Sequence, residues 1–173
     1  HVLDGGFAKP LRMIDPGVGF KKHPSNYFTH RPIDAALALR AAHAIAPDEI
    51  ESVVVTFPRF EYVNRPFPET GLDGKFSVQY TTAVALLDGE ITVDSFTNER
   101  RRAPDVEALL PHVTLVLDDA IPADFDRMHA VVEVTLKSGL RHSHRVDRLS
   151  GWIGSPLTRE QRLTEFHSCG RPV

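Results

Sequence analysis

The chain has 173 residues, enough for one domain with a substantial core. Hydrophobic residues make up 42% and charged residues 25%, and the formal net charge is −3, so nothing global points to nucleic acid or an anionic membrane. No apolar run approaches the roughly 20 residues of a membrane span. No signal-peptide pattern opens the sequence, and the single cysteine, Cys169, allows neither an internal disulfide nor a cysteine-ligated iron–sulfur cluster. A reducing, cytoplasmic setting is the expectation.

Residues 18–22 are expected to form a short strand. The first clear helix is predicted over residues 29–45, where Ile33, Ala36, Leu37, Ala41, Ala44 and Ile45 recur at helical spacing. Thr29 reads as its cap, Pro32 fits a first turn, and Pro47 and Asp48 end it. Residues 52–57 are β-branched-rich, with Val53, Val55 and Phe57 on one face, and predict a strand. Pro58, Pro66 and Pro68, with Gly71 and Gly74, mark residues 58–74 as a long irregular loop.

A second helix follows, with Phe76, Tyr80, Ala83, Val84 and Leu87 on one face and Gly89 as terminator. Short helices are expected at residues 94–96 and 104–110, and a strand at 113–117. The strongest hairpin signal is the alternation Val132, Val134, Leu136, a turn at Ser138-Gly139, and a return over residues 140–146. Thr158-x-x-Gln161 is a capping box for a last helix to about Ser168. The elements sum to an α+β domain, with a largely antiparallel sheet and helices packed mainly on one face. No Gly-rich nucleotide fingerprint is present.

The candidate chemistry concentrates in GFKKHPSNYFTHRPIDAALALR, residues 19–40. A helix start attracts anions through unpaired N–H groups and about half a positive charge from the macrodipole. Added cations there suggest a negative ligand, or else a solvated basic loop. His30 sits at that entrance. The dipole disfavours imidazolium, so His30 reads as a general base or as a histidine bonded in a turn. Lys21, Lys22 and His23 read as carboxylate ligands or as solvated residues of a strand edge. Tyr80 is a core phenol with a boundary hydroxyl, or a proton donor to substrate. His142 and His144 share a strand face but lack further ligands, so no metal is expected. Arg100, Arg101 and Arg102 read as a solvated run, and Cys169 has no nucleophile motif.

Four stretches, the one just described among them, resemble one family. FKKHPSNYFTHRPIDAALALR is similar to its F-K-x-x-P stretch leading to T-H-x-x-I-D-A-A, and KFSVQYTTAVALLDGEITVDSF to its K-F-S-x-Q-Y-x-x-A-x-A-L-L-D-G segment. NRPFPETGLDGKFS fits the approach to that segment, and Gly151 with SPLTRE and Phe166 resembles its closing G-x-x-x-x-P-L-[ST]-x-E and helix. The family is MmgE/PrpD, which contains 2-methylcitrate dehydratase, cis-aconitate decarboxylase and iminodisuccinate epimerase. The resemblance covers only the smaller, C-terminal α+β domain of full members. The absence of an initiator Met and the stop just after a helix are in keeping with a piece of a longer protein.

By resemblance, the substrate is a small di- or tricarboxylate and the shared step is proton movement beside a carboxylate, with no cofactor or metal. The leading expectation is a 2-methylcitrate-dehydratase-like hydro-lyase, with decarboxylase, epimerase or a non-catalytic module as alternatives. His30 then does acid/base work, Lys21 binds a carboxylate, and Tyr80 donates a proton or hydrogen bond. Lys22 and Lys75 complete the expected substrate-binding cations. The missing all-helical domain supplies the other wall of the site, and an exposed docking face predicts a homo-oligomer. Lys22-His23 and Ser25-Asn26 depart from the usual family residues.

Overall fold

The computed structural model describes Leu11, residues 13–15 and residues 17–169. The Cys169 side chain and the chain ends, His1 and Arg171-Pro172-Val173, lie outside the described residues. The chain divides into two compact units, one of residues 23–148 and one formed by the flanking segments up to Lys22 and from Leu149.

The unit of residues 23–148 is α+β. It opens on α1 (Tyr27–His43), followed by β1 (Ile50–Phe57), α2 (Gly71–Gly74), α3 (Val78–Asp88), α4 (Asn98–Arg101) and α5 (Pro104–Leu109). Strands β2 (Val113–Leu117), β3 (Ala130–Leu136) and β4 (Arg141–Val146) complete it. The four strands form one sheet in the order β2-β1-β3-β4. β1 pairs parallel with β2 and antiparallel with β3, and β3 pairs antiparallel with β4, so the sheet is mixed and mostly antiparallel. Alternation places Val53, Val55 and Phe57 of β1 and Ala130, Val132, Val134 and Leu136 of β3 in the core, with half-buried residues between them. The β3–β4 turn carries Gly139 at φ 85°, where glycine avoids the steric cost of a side chain.

α1 begins two residues earlier than the spacing predicts. Asn26, not Thr29, is the cap: its side chain accepts the N–H of Phe28 at 3.0 Å, while the Thr29 hydroxyl donates to the Asn26 carbonyl. Pro32 therefore lies in the second turn rather than the first. Ile33, Ala35, Ala36 and Leu39 are buried, and α1 packs against α3, β3 and β4. Arg40 extends to the last turn of α3, donating to the Leu86 carbonyl at 2.7 Å.

α3 ends at Gly89, φ 76°, as predicted, and begins at Val78 rather than Phe76, capped by Ser77, which accepts the Tyr80 N–H. Residues 58–74 hold two short turns of helix, at Glu61–Val63 and Gly71–Gly74, inside an otherwise irregular path. α4 has no counterpart in the sequence reading; Thr97 caps it by accepting from the Arg100 N–H.

In the flanking unit, residues 17–21 are irregular, so the strand expected at residues 18–22 does not form. The Phe20 N–H is bonded to the Gly151 carbonyl at 2.7 Å. A Cβ on Gly151 would lie 2.1 Å from the Phe20 carbonyl oxygen, which fixes glycine there. The predicted capping box forms at α6 (Arg159–Cys169): Thr158 and Gln161 exchange backbone-to-side-chain bonds of 2.9 and 3.1 Å. Among the described residues no helix is long and apolar enough to cross a membrane.

Candidate functional site

The two segments richest in candidate residues meet backbone to backbone. The Asn26 N–H, at the start of α1, donates to the Lys75 carbonyl, just before α3, at 3.0 Å. The Tyr62 hydroxyl donates to the Asn26 side-chain oxygen at 3.4 Å, drawing the Pro-rich loop to the same point. Phe28 anchors that loop from α1: its ring lies 4.5 Å from Phe60, 5.5 Å from Tyr62 and 5.3 Å from Phe125.

His30 falls at the end of the first turn of α1 and is buried. Its ring contacts two others, His23 at 5.2 Å and 70° and Tyr27 at 5.1 Å and 37°. His23 is itself buried and shares a 2.9 Å hydrogen bond with Asp34 one turn further along α1. That corrects the reading of His23 as a solvated strand-edge residue, since it neither lies in a strand nor faces solvent. Burial pushes the Tyr27 hydroxyl pKa up, so that ring stays neutral.

Tyr80 is buried in a second cluster. Its hydroxyl donates to the Ser95 carbonyl at 2.5 Å, and its ring packs 6.3 Å from Phe96 and against Gly74. Burial, opposed by the charges of Arg100 and Arg101, pushes its pKa up to about 12. Its proton is thus committed to a main-chain oxygen in this arrangement. Half-buried Lys75 reaches the same cluster, its ammonium 5.4 Å from the Phe96 ring centroid. Lys21, exposed, and Lys22, half-buried, belong to the flanking unit.

Arg31 carries no signal in the sequence, because its partners lie 94 and 116 residues away. Although it follows His30 in an exposed-looking basic stretch, it is buried. Its Nη2 donates to the Phe125 carbonyl at 2.6 Å and its Nε to the Asp147 carbonyl at 3.2 Å, and its guanidinium lies 5.0 Å from the Phe125 ring centroid. Burial lowers its pKa, and the charges of Asp126, Asp147 and Asp34 oppose that.

The remaining candidates are structural. The Arg100–Arg102 run is not simply solvated: Arg100 forms paired bonds with Asp88 and Asp105, and Arg101 is buried and paired with Glu107. His142 stacks on His43, centroids 3.9 Å apart, whereas His144 is exposed. Among the described residues no group of three or more His, Cys, Asp or Glu is placed to hold a metal. A surface hollow of about 470 Å³ is bounded by Ile50, Leu109 and Lys137. It contains none of the predicted site residues and adjoins the Ile50 end of β1, whereas Phe28 and Phe60 gather beside Phe57.

A buried imidazole at a helix start, ringed by aromatics and tied to a lysine-bearing segment, suits proton transfer on an anion. Residues 23–173 match the MmgE/PrpD C-terminal domain. The chain belongs to the MmgE/PrpD family. It is 36% identical to mouse cis-aconitate decarboxylase over 158 residues, covering 87% of this chain and 32% of that protein. Similarity to human cis-aconitate decarboxylase is also 36%, over 157 residues, with the same coverage. The chain thus spans about a third of the length of the curated relatives it matches.

Proposed function

We propose that this chain forms the C-terminal part of a lyase acting on a small di- or tricarboxylate, with decarboxylation of cis-aconitate as its specific reaction. The reading is carried by the convergence of the His30 and Lys75 segments at the start of α1, in a chain 36% identical to two cis-aconitate decarboxylases. Decarboxylation leaves negative charge on carbon, delocalised onto a neighbouring carboxylate, and the carbon must then take a proton. His30, in its protonated form, supplies that proton and is left neutral, while Lys75 and the α1 N-terminus stabilise the developing charge. Dehydration of 2-methylcitrate needs the same groups in another order, so that compound is the second substrate to test. The remaining wall of the site comes from the all-helical domain that the family resemblance implies.

The natural full-length protein is incubated with cis-aconitate and with 2-methylcitrate, and the products are read by NMR. CO2 release from cis-aconitate is expected. Turnover of 2-methylcitrate alone assigns the dehydratase, and turnover of neither overturns the reading. His30→Ala is expected to lower kcat by about a hundredfold or more; unchanged turnover removes His30 from the mechanism.

A further inference from the structure

We infer that Arg31 is a positioning residue for the proposed proton-transfer site, fixing His30 through Phe125 and Tyr27. The inference rests on the functional reading above. His30 has two neighbouring rings, and each ring has its own anchor. His23 is held by Asp34 at 2.9 Å. Tyr27 stands edge-on to Phe125, 5.9 Å away at 86°. Phe125 is held in turn by Arg31, which bonds its carbonyl and lies 5.0 Å from its ring. The chain of contact is Arg31, Phe125, Tyr27, His30.

The charge of Arg31 is poorly explained by stability. Its bonds go to neutral carbonyls, and Nη1 has no hydrogen-bond partner among the described residues. Among those residues no carboxylate lies within ion-pair distance of it. Asp126, Asp147 and Asp34 favour the charge only from beyond ion-pair distance, against the larger cost of burial. What an apolar side chain cannot do is grip two carbonyls at once. The planar fork of arginine does so, joining the loop around Phe125 and the exit of β4 at Asp147 to the turn of helix that carries His30. A small displacement of an acid/base group costs rate steeply while substrate affinity changes little.

The test compares Arg31→Met and Arg31→Lys in the natural full-length protein, assayed well below their melting temperatures. The steady-state constants are measured together with the His30 ring signal, followed by NMR in protein labelled at histidine. Arg31→Met is expected to lower kcat about tenfold with KM changed by no more than about twofold, and to shift or broaden the His30 signal. Arg31→Lys, which keeps the charge and loses the fork, is expected to fall between that variant and the parent. A folded Arg31→Met protein with parental kcat and an unmoved His30 signal overturns the inference. Should Arg31→Met not fold, Arg31→Lys decides by the same two readouts, and parental values overturn it. If the parent turns over neither compound, the functional reading has failed by itself, and the His30 signal still judges the positioning role.

Discussion

Asn26 bonds to two segments in different ways: its backbone N–H donates to the Lys75 carbonyl, and its side chain caps α1 by accepting the Phe28 N–H. The two bonds separate experimentally. Asn26→Ala keeps the first and removes the second, along with the long 3.4 Å bond from the Tyr62 hydroxyl, so it is expected to cost about 1 kcal/mol in urea unfolding. Asn26→Asp keeps the acceptor and adds a charge that suits a helix start, so it is expected to match or exceed the parent. Equal stability of the parent and Asn26→Ala contradicts the cap.

Tyr80→Phe removes the hydroxyl that donates to Ser95 and leaves the ring packing intact. A loss of about 1–2 kcal/mol is expected, because a buried carbonyl loses its donor. The pH dependence gives a second readout. The Tyr80 pKa rises from 10.0 to about 12 on folding, so the folded state favours the neutral phenol. That contribution is present in full below pH 10 and is lost as pH rises toward 12. Denaturation curves across this window are expected to fall less steeply for Tyr80→Phe than for the parent.

Lys75→Met tests the cation beside Phe96. In the natural full-length protein it is expected to raise KM for cis-aconitate about tenfold, because a half-buried charge lost from a carboxylate site removes about 1–2 kcal/mol of binding. The melting temperature is expected to change little. Unaltered KM and kcat remove Lys75 from the site.

Gly71→Ala and Gly139→Ala are the same substitution with different costs. A Cβ on Gly71 would lie 2.1 Å from the Phe96 carbonyl oxygen, so α2 must shift, and a loss of several kcal/mol is expected. A Cβ on Gly139 would meet nothing within 4 Å, and the cost is the strain of φ 85°, about 1 kcal/mol. Chemical denaturation of both variants checks the order.

Local signals in the sequence were legible where a few neighbouring residues decide the structure. Gly89 marks the end of α3, Ser138-Gly139 marks the hairpin, and Thr158 with Gln161 marks the start of α6. Asn26 escaped notice because Thr29 offers an equally good cap three residues on, and only the tie to Lys75 chooses between them. The parallel pairing of β1 with β2 was hidden because the two strands are 55 residues apart where Phe57 ends one and Val113 starts the other. At the candidate site, His30 stood out by its position at a helix start. His23 resembled any loop histidine, because its partner Asp34 becomes a neighbour only once α1 turns. Arg31 was invisible for a similar reason, since the carbonyls that hold it come from the far end of the unit.

α3 has one more consequence. Nine consecutive residues, Val78 through Leu86, are buried, so the helix has no face where substitutions go unnoticed. Gln79 and Thr81 settle their polar groups within the unit, on Asn64 and on carbonyls of their own first turn. Neutral drift in this segment is therefore confined to exchanges that conserve both volume and hydrogen bonding. As relatives diverge, the KFSVQYTTAVALLDG stretch should change more slowly than the exposed strand β4, whatever reaction each relative performs.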